Sequence, residues 1–252
     1  VAFIIYGDLA EVSIGKLFIG GIITGVVLAL FMTLYIIGRV LKNPSLAPRS
    51  IEHVSWKERI VPLKHLWSPV FLIVAVLGTI YSGIATPTEA SAIGAGGAFI
   101  IAGFAFRAIN WKTLVKIMSE TTRVTAAILI IVACATVFSG YLSLARIPAS
   151  LSTWVVGLEL PTTAVLFALM ILLIVLGCFV DVASVIIITT PILLPIILKL
   201  GLDPLWYGIV LVINLEMAVI TPPVGLNLYA LKSIAPDIEM GDIIKGILPF
   251  VA

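Results

Sequence analysis

Two short stretches place polar groups and helix breakers among strongly apolar neighbours. The first is TPPVGLN, Thr221–Asn227. Pro222 and Pro223 lack an N–H and clash with the preceding turn, and Gly225 adds backbone freedom. A helix running through 206–231 is therefore expected to break here. In hydrocarbon every freed N–H and C=O needs a partner, so broken backbone is tolerated only against protein or a water-filled cavity. Such a break frees carbonyls that can ligate a cation. It also exposes the N-terminus of a second half-helix, which favours an anion. Thr221 and Asn227 add side-chain oxygens at its edges. The competing reading is a simple proline kink, which one proline fits better than two flanked by Thr, Gly and Asn.

The second stretch is GCFVDVASV, Gly177–Val185. A carboxylate inside a membrane is costly and reads as functional by default, so Asp181 is a candidate partner for an ion, a proton or a buried base. With Ser184 it would lie at the tip of a hairpin, where two helix ends converge. A solvated turn between two full spans is the alternative. Asn214 and Glu216 sit just before the Pro-Pro break, and Glu216 reads equally as a coupling group or as a hydrogen-bonding brace between half-helices. In GIATPTEASA, Thr88 is expected to cap a helix starting at Glu89, whose acid in the first turn suits the helix dipole.

Other chemistries find no support. The chain has no P-loop, no dinucleotide glycine fingerprint and no His-Glu-x-x-His. Cys134 and Cys178 fit no metal spacing and read as packing residues. His53 and His65 read as solvated loop histidines. A net charge of +2 without a basic stripe argues against a nucleic-acid partner.

The elements that must position these groups follow from composition. The 252 residues are 61% hydrophobic and 11% charged, against about 45–50% and about 25% in soluble domains. An all-α polytopic membrane protein in the lipid bilayer is the reading that can house so much apolar surface. Apolar runs mark spans at Leu17–Ile37, Trp67–Gly83, Glu89–Phe106 and Val124–Leu144. A run over Leu160–Leu200, another over Trp206–Leu231 and a segment from near Ile243 follow. All but Lys16, Arg146 and Lys199 of the 15 basic residues fall in loops or segments assigned to one side, which the positive-inside rule makes cytoplasmic. Residues 146, 199 and 203 then lie outside, so 160–200 must enter and leave on one side. Its middle has no Lys or Arg, which favours a re-entrant hairpin over two full spans. Segments 55–66 and 111–122 read as amphipathic helices lying at the cytoplasmic interface. The pair Gly21 and Gly25, with Gly94, Gly96 and Gly97, marks close helix contacts. The chain opens already apolar at Val1 and closes on GILPFVA, which suggests a piece of a longer protein.

In combination, GIATPTEASAIGA, GCFVDVASVIIITTPILLPI and NLEMAVITPPVGLNLYAL resemble the large membrane subunit of tripartite ATP-independent periplasmic transporters, the DctM-like permeases. The opening VAFIIYGDLAEVSIGKLFIGGII is also similar to that family. The resemblance implies a sodium-driven importer of small organic anions such as dicarboxylates, sialic acid or keto and sugar acids. It implies a periplasmic substrate-binding protein and a small DctQ-like membrane subunit as partners, a multi-pass place in the bacterial inner membrane, and no cofactor beyond Na⁺ as coupling ion. It further implies an elevator fold of two inverted repeats, each with a re-entrant hairpin and a discontinuous helix. On this basis residues 1–122 hold the end of the first repeat with scaffold-like spans. Residues 123–252 hold the second repeat, with its hairpin at about 160–200 and its broken helix at about 206–231. Na⁺ would bind near Gly177, Asp181, Thr221 and Gly225, and the other half of the site would lie upstream of Val1. A related anion/sodium symporter that needs no binding protein, and a non-transporting scaffold subunit, are the alternatives.

Overall fold

Prolines, glycines and the ends of the apolar runs set the helix boundaries in the computed structural model, which describes residues 1–46 and 66–251. Among these residues the chain is helical, with no strand. Segment 55–66 up to Leu66, together with His53 and His65, lies outside the described residues.

The chain divides into two compact units. One covers residues 25–125. It holds the second part of α2 (Ile14–Lys42), then α3 (Trp67–Tyr81) and α4 (Pro87–Ile100), which runs on as a π-helical turn over Ile101–Ala105. The first turns of α5 (Trp111–Leu144) complete it. α3 and α4 form an antiparallel pair made close by two glycines. A Cβ on Gly94 or Gly97 would come within 2.9 Å of Val76 or Leu72. Gly96 and Gly25 meet nothing within 4 Å among the described residues.

The other unit joins residues 1–24 to 126–252. It contains α1 (Ala2–Leu9), the start of α2, the rest of α5, α6 (Ile147–Gly157), α7 (Thr162–Gly177) and α8 (Val182–Lys199). α9 (Pro204–Ala218), α10 (Leu226–Ile234) and α11 (Met240–Val251) follow. α8 is the hub, packed against α1, α6, α7 and α9. Tyr6, Leu173, Ile186, Ile197, Leu211 and Leu215 are wholly buried around it. Lipid tails are as apolar as leucine, so what favours this cluster over lipid contact is close packing rather than escape from water. Tyr6 shows the fit: its phenol donates to the Pro204 carbonyl at 2.7 Å, and its ring fills the space a Cβ on Gly208 would need.

By length and composition α2, α4 with its π turn, α5 and α8 can each cross a membrane. α8 differs from the rest, since half of its most apolar window is buried inside the protein, against 6–11% for the others. The side chains of the others are mostly exposed. α7, at 16 residues, reaches only about 24 Å, short of about 30 Å of hydrocarbon, whereas α8, at 18 residues, reaches about 27 Å and lies at the lower end of the spanning range.

Two expectations are corrected, and one helix is added. Residues 111–122 do not form a separate helix lying at the interface, because they are the first turns of the 34-residue α5. No proline or glycine occurs between Trp111 and Gly140 to stop it, and an exposed Lys116–Glu120 pair follows the helical i,i+4 spacing. The cap of α4 is Thr86, not Thr88, and the helix starts at Pro87 rather than Glu89. Pro87 takes the first helical position, where a missing N–H costs nothing, and so moves the start upstream. Finally, α6 occupies residues that carried no assignment. Pro148 near its start and two small serines disguise a helix that needs only one apolar face against α8.

Candidate functional site

The site is built where the α7–α8 hairpin meets the break between α9 and α10. α7 ends at Gly177, residues 178–181 turn, and Asp181 is the N-cap of α8. Its Oδ2 accepts the Ser184 N–H at 3.0 Å, and its Oδ1 accepts the Ser184 hydroxyl at 2.6 Å. The carboxylate therefore satisfies one of the orphan amides of the first turn, while it remains exposed and Ser184 is buried. No described basic side chain pairs with Asp181.

α9 ends at Ala218 and α10 begins at Leu226, so the helix breaks over Thr221–Gly225 as the prolines require. The Pro222–Pro223 peptide is cis. Thr221 donates its hydroxyl to the Met217 carbonyl at 2.6 Å, and its N–H to Ala218 at 3.0 Å. Gly225 is the N-cap of α10 with φ +54°, a left-handed backbone that suits glycine. The Asn227 N–H reaches back across the break to the Val219 carbonyl at 3.2 Å. The Asn227 side chain and Pro223 are exposed.

Three contacts join hairpin and break. The Gly225 N–H donates to the Cys178 carbonyl at 3.3 Å. The Cys178 thiol donates to the Pro222 carbonyl at 3.7 Å, a weak bond of the kind sulfur makes. Gly177 lies so near α9 that a Cβ there would stand 2.7 Å from the Ala218 Cβ. Further along the hairpin, buried Asn214 donates its Nδ2 to the Met170 carbonyl at 3.1 Å. The structure thus brings Gly177, Pro222 and Gly225 into one junction, with Asp181 and Ser184 following on the same turn and Thr221 next to Pro222. Glu216 is exposed on α9 and has no hydrogen-bond or ion-pair partner among the described residues. Thr88 and Glu89 belong to the other unit. There Thr86 and Glu89 form a reciprocal capping box, with the Thr86 N–H donating to Glu89 Oε2 at 2.8 Å.

Following the backbone groups shows what is left for a ligand. The carbonyls of Cys178, Val219, Pro222 and Gly225 are engaged by protein donors. Those of Val180, Thr221, Pro223 and Val224 receive no hydrogen bond from a described residue. Hard, oxygen-seeking cations are the ligands such carbonyls and a carboxylate suit. The first-turn amides of Val182, Ala183 and Leu226 are likewise unengaged, and helix N-termini attract anions. Cation-seeking and anion-seeking groups therefore share the junction. Cys178, which sequence reasoning treats as packing, is the residue it missed. The only local signal was its position beside Gly177 at the end of an apolar arm.

The family model described as the DctM component of the tripartite ATP-independent periplasmic transporter matches residues 1–252. The C4-dicarboxylate TRAP transporter large permease protein DctM of Pseudomonas aeruginosa is 36% identical over 254 residues, covering 100% of this chain and 58% of that protein. The isethionate TRAP transporter permease protein DctMQ of Oleidesulfovibrio alaskensis is 33% identical, over 99% of this chain and 39% of that protein. The sialic acid TRAP transporter large permease protein SiaM of Vibrio cholerae is 27% identical, over 100% of this chain and 58% of that protein. The chain thus spans about half the length of these relatives.

Proposed function

Because the chain belongs to the DctM-component family of tripartite ATP-independent periplasmic transporters, a family of permeases and not of enzymes, we propose that it is part of an inner-membrane importer of small organic anions coupled to Na⁺. The named cargoes of the relatives (C4-dicarboxylate, isethionate and sialic acid) are all organic acids, which supports the class and leaves the individual acid open. A periplasmic binding protein delivers the substrate, and a small membrane subunit completes the complex.

One observation carries this reading: the Gly225-to-Cys178 hydrogen bond at 3.3 Å, which seats the broken helix on the hairpin tip. Na⁺ binds among the unengaged carbonyls of the break and the Asp181 tip. Its charge offsets that of the incoming carboxylate, which docks on the amides starting α8 and α10. Without the cation, Asp181 repels the substrate, and this difference in affinity is the coupling. The elevator movement of two repeats is part of the same proposal, with the second half of the site supplied from outside this chain.

The test is Na⁺-dependent uptake by the full complex in proteoliposomes, with Asp181→Ala beside Asp181→Asn. The asparagine keeps an oxygen to cap α8, so it separates charge from folding. Loss of sodium dependence in both variants is expected. Normal Na⁺-coupled uptake by Asp181→Asn removes the carboxylate from coupling. Undiminished uptake without a binding protein would instead indicate a symporter of the simpler kind.

A further inference from the structure

Only three basic residues, Lys16, Arg146 and Lys199, fall on the side of the membrane that the charge bias leaves poor in cations. Two of them meet at one place. Arg146 is the N-cap of α6 and lines an open groove of about 510 Å³ with Ala149, Ser150, Thr153 and Trp154. Lys199, the last residue of α8, reaches this groove by donating its Nζ to the Thr153 hydroxyl at 2.8 Å. Seven residues of helix separate Arg146 from Thr153, so the cations bracket about 10 Å of surface.

No carboxylate lines the groove. Neither cation has an ion pair among the described residues, and Arg146 has no described hydrogen-bond partner for its guanidinium. Trp154, next to Thr153 on the same helix, is 63% exposed, and Leu198 and Val156 are exposed as well. Tryptophan beside unpaired cations and bare aliphatic surface is the arrangement found at the headgroup level of a membrane.

We propose that Arg146, Lys199 and Trp154 form a binding site for the phosphodiester headgroup of an anionic phospholipid. The guanidinium and ammonium pair the phosphate, the Ser150 hydroxyl adds a donor beside them, and the indole rests at the start of the acyl chains. The lipid lies along the open α6 face that Arg146, Ser150 and Trp154 line, with Lys199 at its edge through Thr153. This inference does not depend on what the protein transports.

The experiment uses the full-length permease in nanodiscs, keeping Trp154 as the sole tryptophan with the others changed to Phe. Its fluorescence is quenched with brominated phosphatidylglycerol or brominated phosphatidylcholine at equal mole fraction. Preferential quenching by phosphatidylglycerol is expected. In R146Q/K199Q the preference should fall about fivefold for each cation removed, whereas R146K/K199R should keep it. Equal quenching by the two lipids in the parent overturns the proposal. So does reversal of the preference by millimolar inorganic phosphate, which marks a small-anion site. So does an unchanged preference in R146Q/K199Q that nonetheless loses docking of an acidic soluble partner. Native mass spectrometry of the permease with all tryptophans intact provides a second reading. Retained phosphatidylglycerol should be lost in R146Q/K199Q, and equal retention overturns the site.

Discussion

Gly177→Ala probes the junction most directly. The alanine Cβ would stand 2.7 Å from the Cβ of Ala218 and 3.3 Å from Leu215 Cδ2. A leucine methyl can swing aside, but the Ala218 Cβ is bonded to backbone, so α9 itself must shift. Overpacking of this kind costs about 1–3 kcal/mol. Replacing a helical glycine returns about 0.5–1 kcal/mol, which leaves a net loss of about 0.5–2 kcal/mol. At about 2–4 °C per kcal/mol for chains of about 150–250 residues, and less for a longer one, the thermal midpoint of the full permease in detergent should drop by at most about 8 °C. Gly140→Ala is the control, since nothing lies within 4 Å of that position in α5. It should raise the midpoint slightly. Ala218→Gly added to Gly177→Ala removes the clashing atom, so the double variant should recover more than the two single effects summed. If Gly177→Ala is as stable as the parent, or the double variant shows no coupling, hairpin and break are not in contact as described here.

The capping box predicts a contrast between two threonines of one motif. Thr86→Ala should cost about 0.5–2 kcal/mol and speed amide exchange in the first turn of α4, while Thr88→Ala should change neither, and the reverse order would restore the cap to Thr88. Thr190, 1% exposed in α8, carries the one buried side-chain oxygen without a hydrogen-bond partner among the described residues. Its replacement by the isosteric valine removes a desolvation penalty of about 1–3 kcal/mol, so Thr190→Val should raise the unfolding midpoint, and a fall would mean that the hydroxyl is satisfied in the membrane.

Much of the helical framework was legible because its causes are local. Apolar length alone marks the cores of α2, α3 and α5. Two adjacent prolines and a glycine are enough to break a helix wherever they occur, so the gap between α9 and α10 needed no tertiary information. The turn between α7 and α8 was legible because a run of about 40 apolar residues is too long for one span and its only polar cluster lies at its middle. Local causes failed where a boundary depends on which of several adequate residues wins. Thr86 and Thr88 can both cap, and Pro87 decided between them. The segment from Trp111 has the amphipathic look of an interfacial helix, but nothing in it stops propagation into the apolar run behind.

The site itself was only half legible. Asp181, Ser184, Thr221 and Gly225 stand out as polar or flexible groups in apolar sequence, and they are of the types that an ion site would use. Their mutual placement does not follow from type. Cys178 and Pro222 are 44 positions apart, and only the packing of α7 on α9 brings thiol to carbonyl. That packing depends on Gly177 and Ala218 both being small at one crossing, a steric coincidence between distant residues that no local pattern records. Tertiary structure likewise decided which carbonyls are engaged and which are left free, because a hydrogen bond from Gly225 to Cys178 exists only once the two elements have met. The sequence determined where the backbone would break and which atoms a ligand would find attractive. The fold determined which of those atoms remained available.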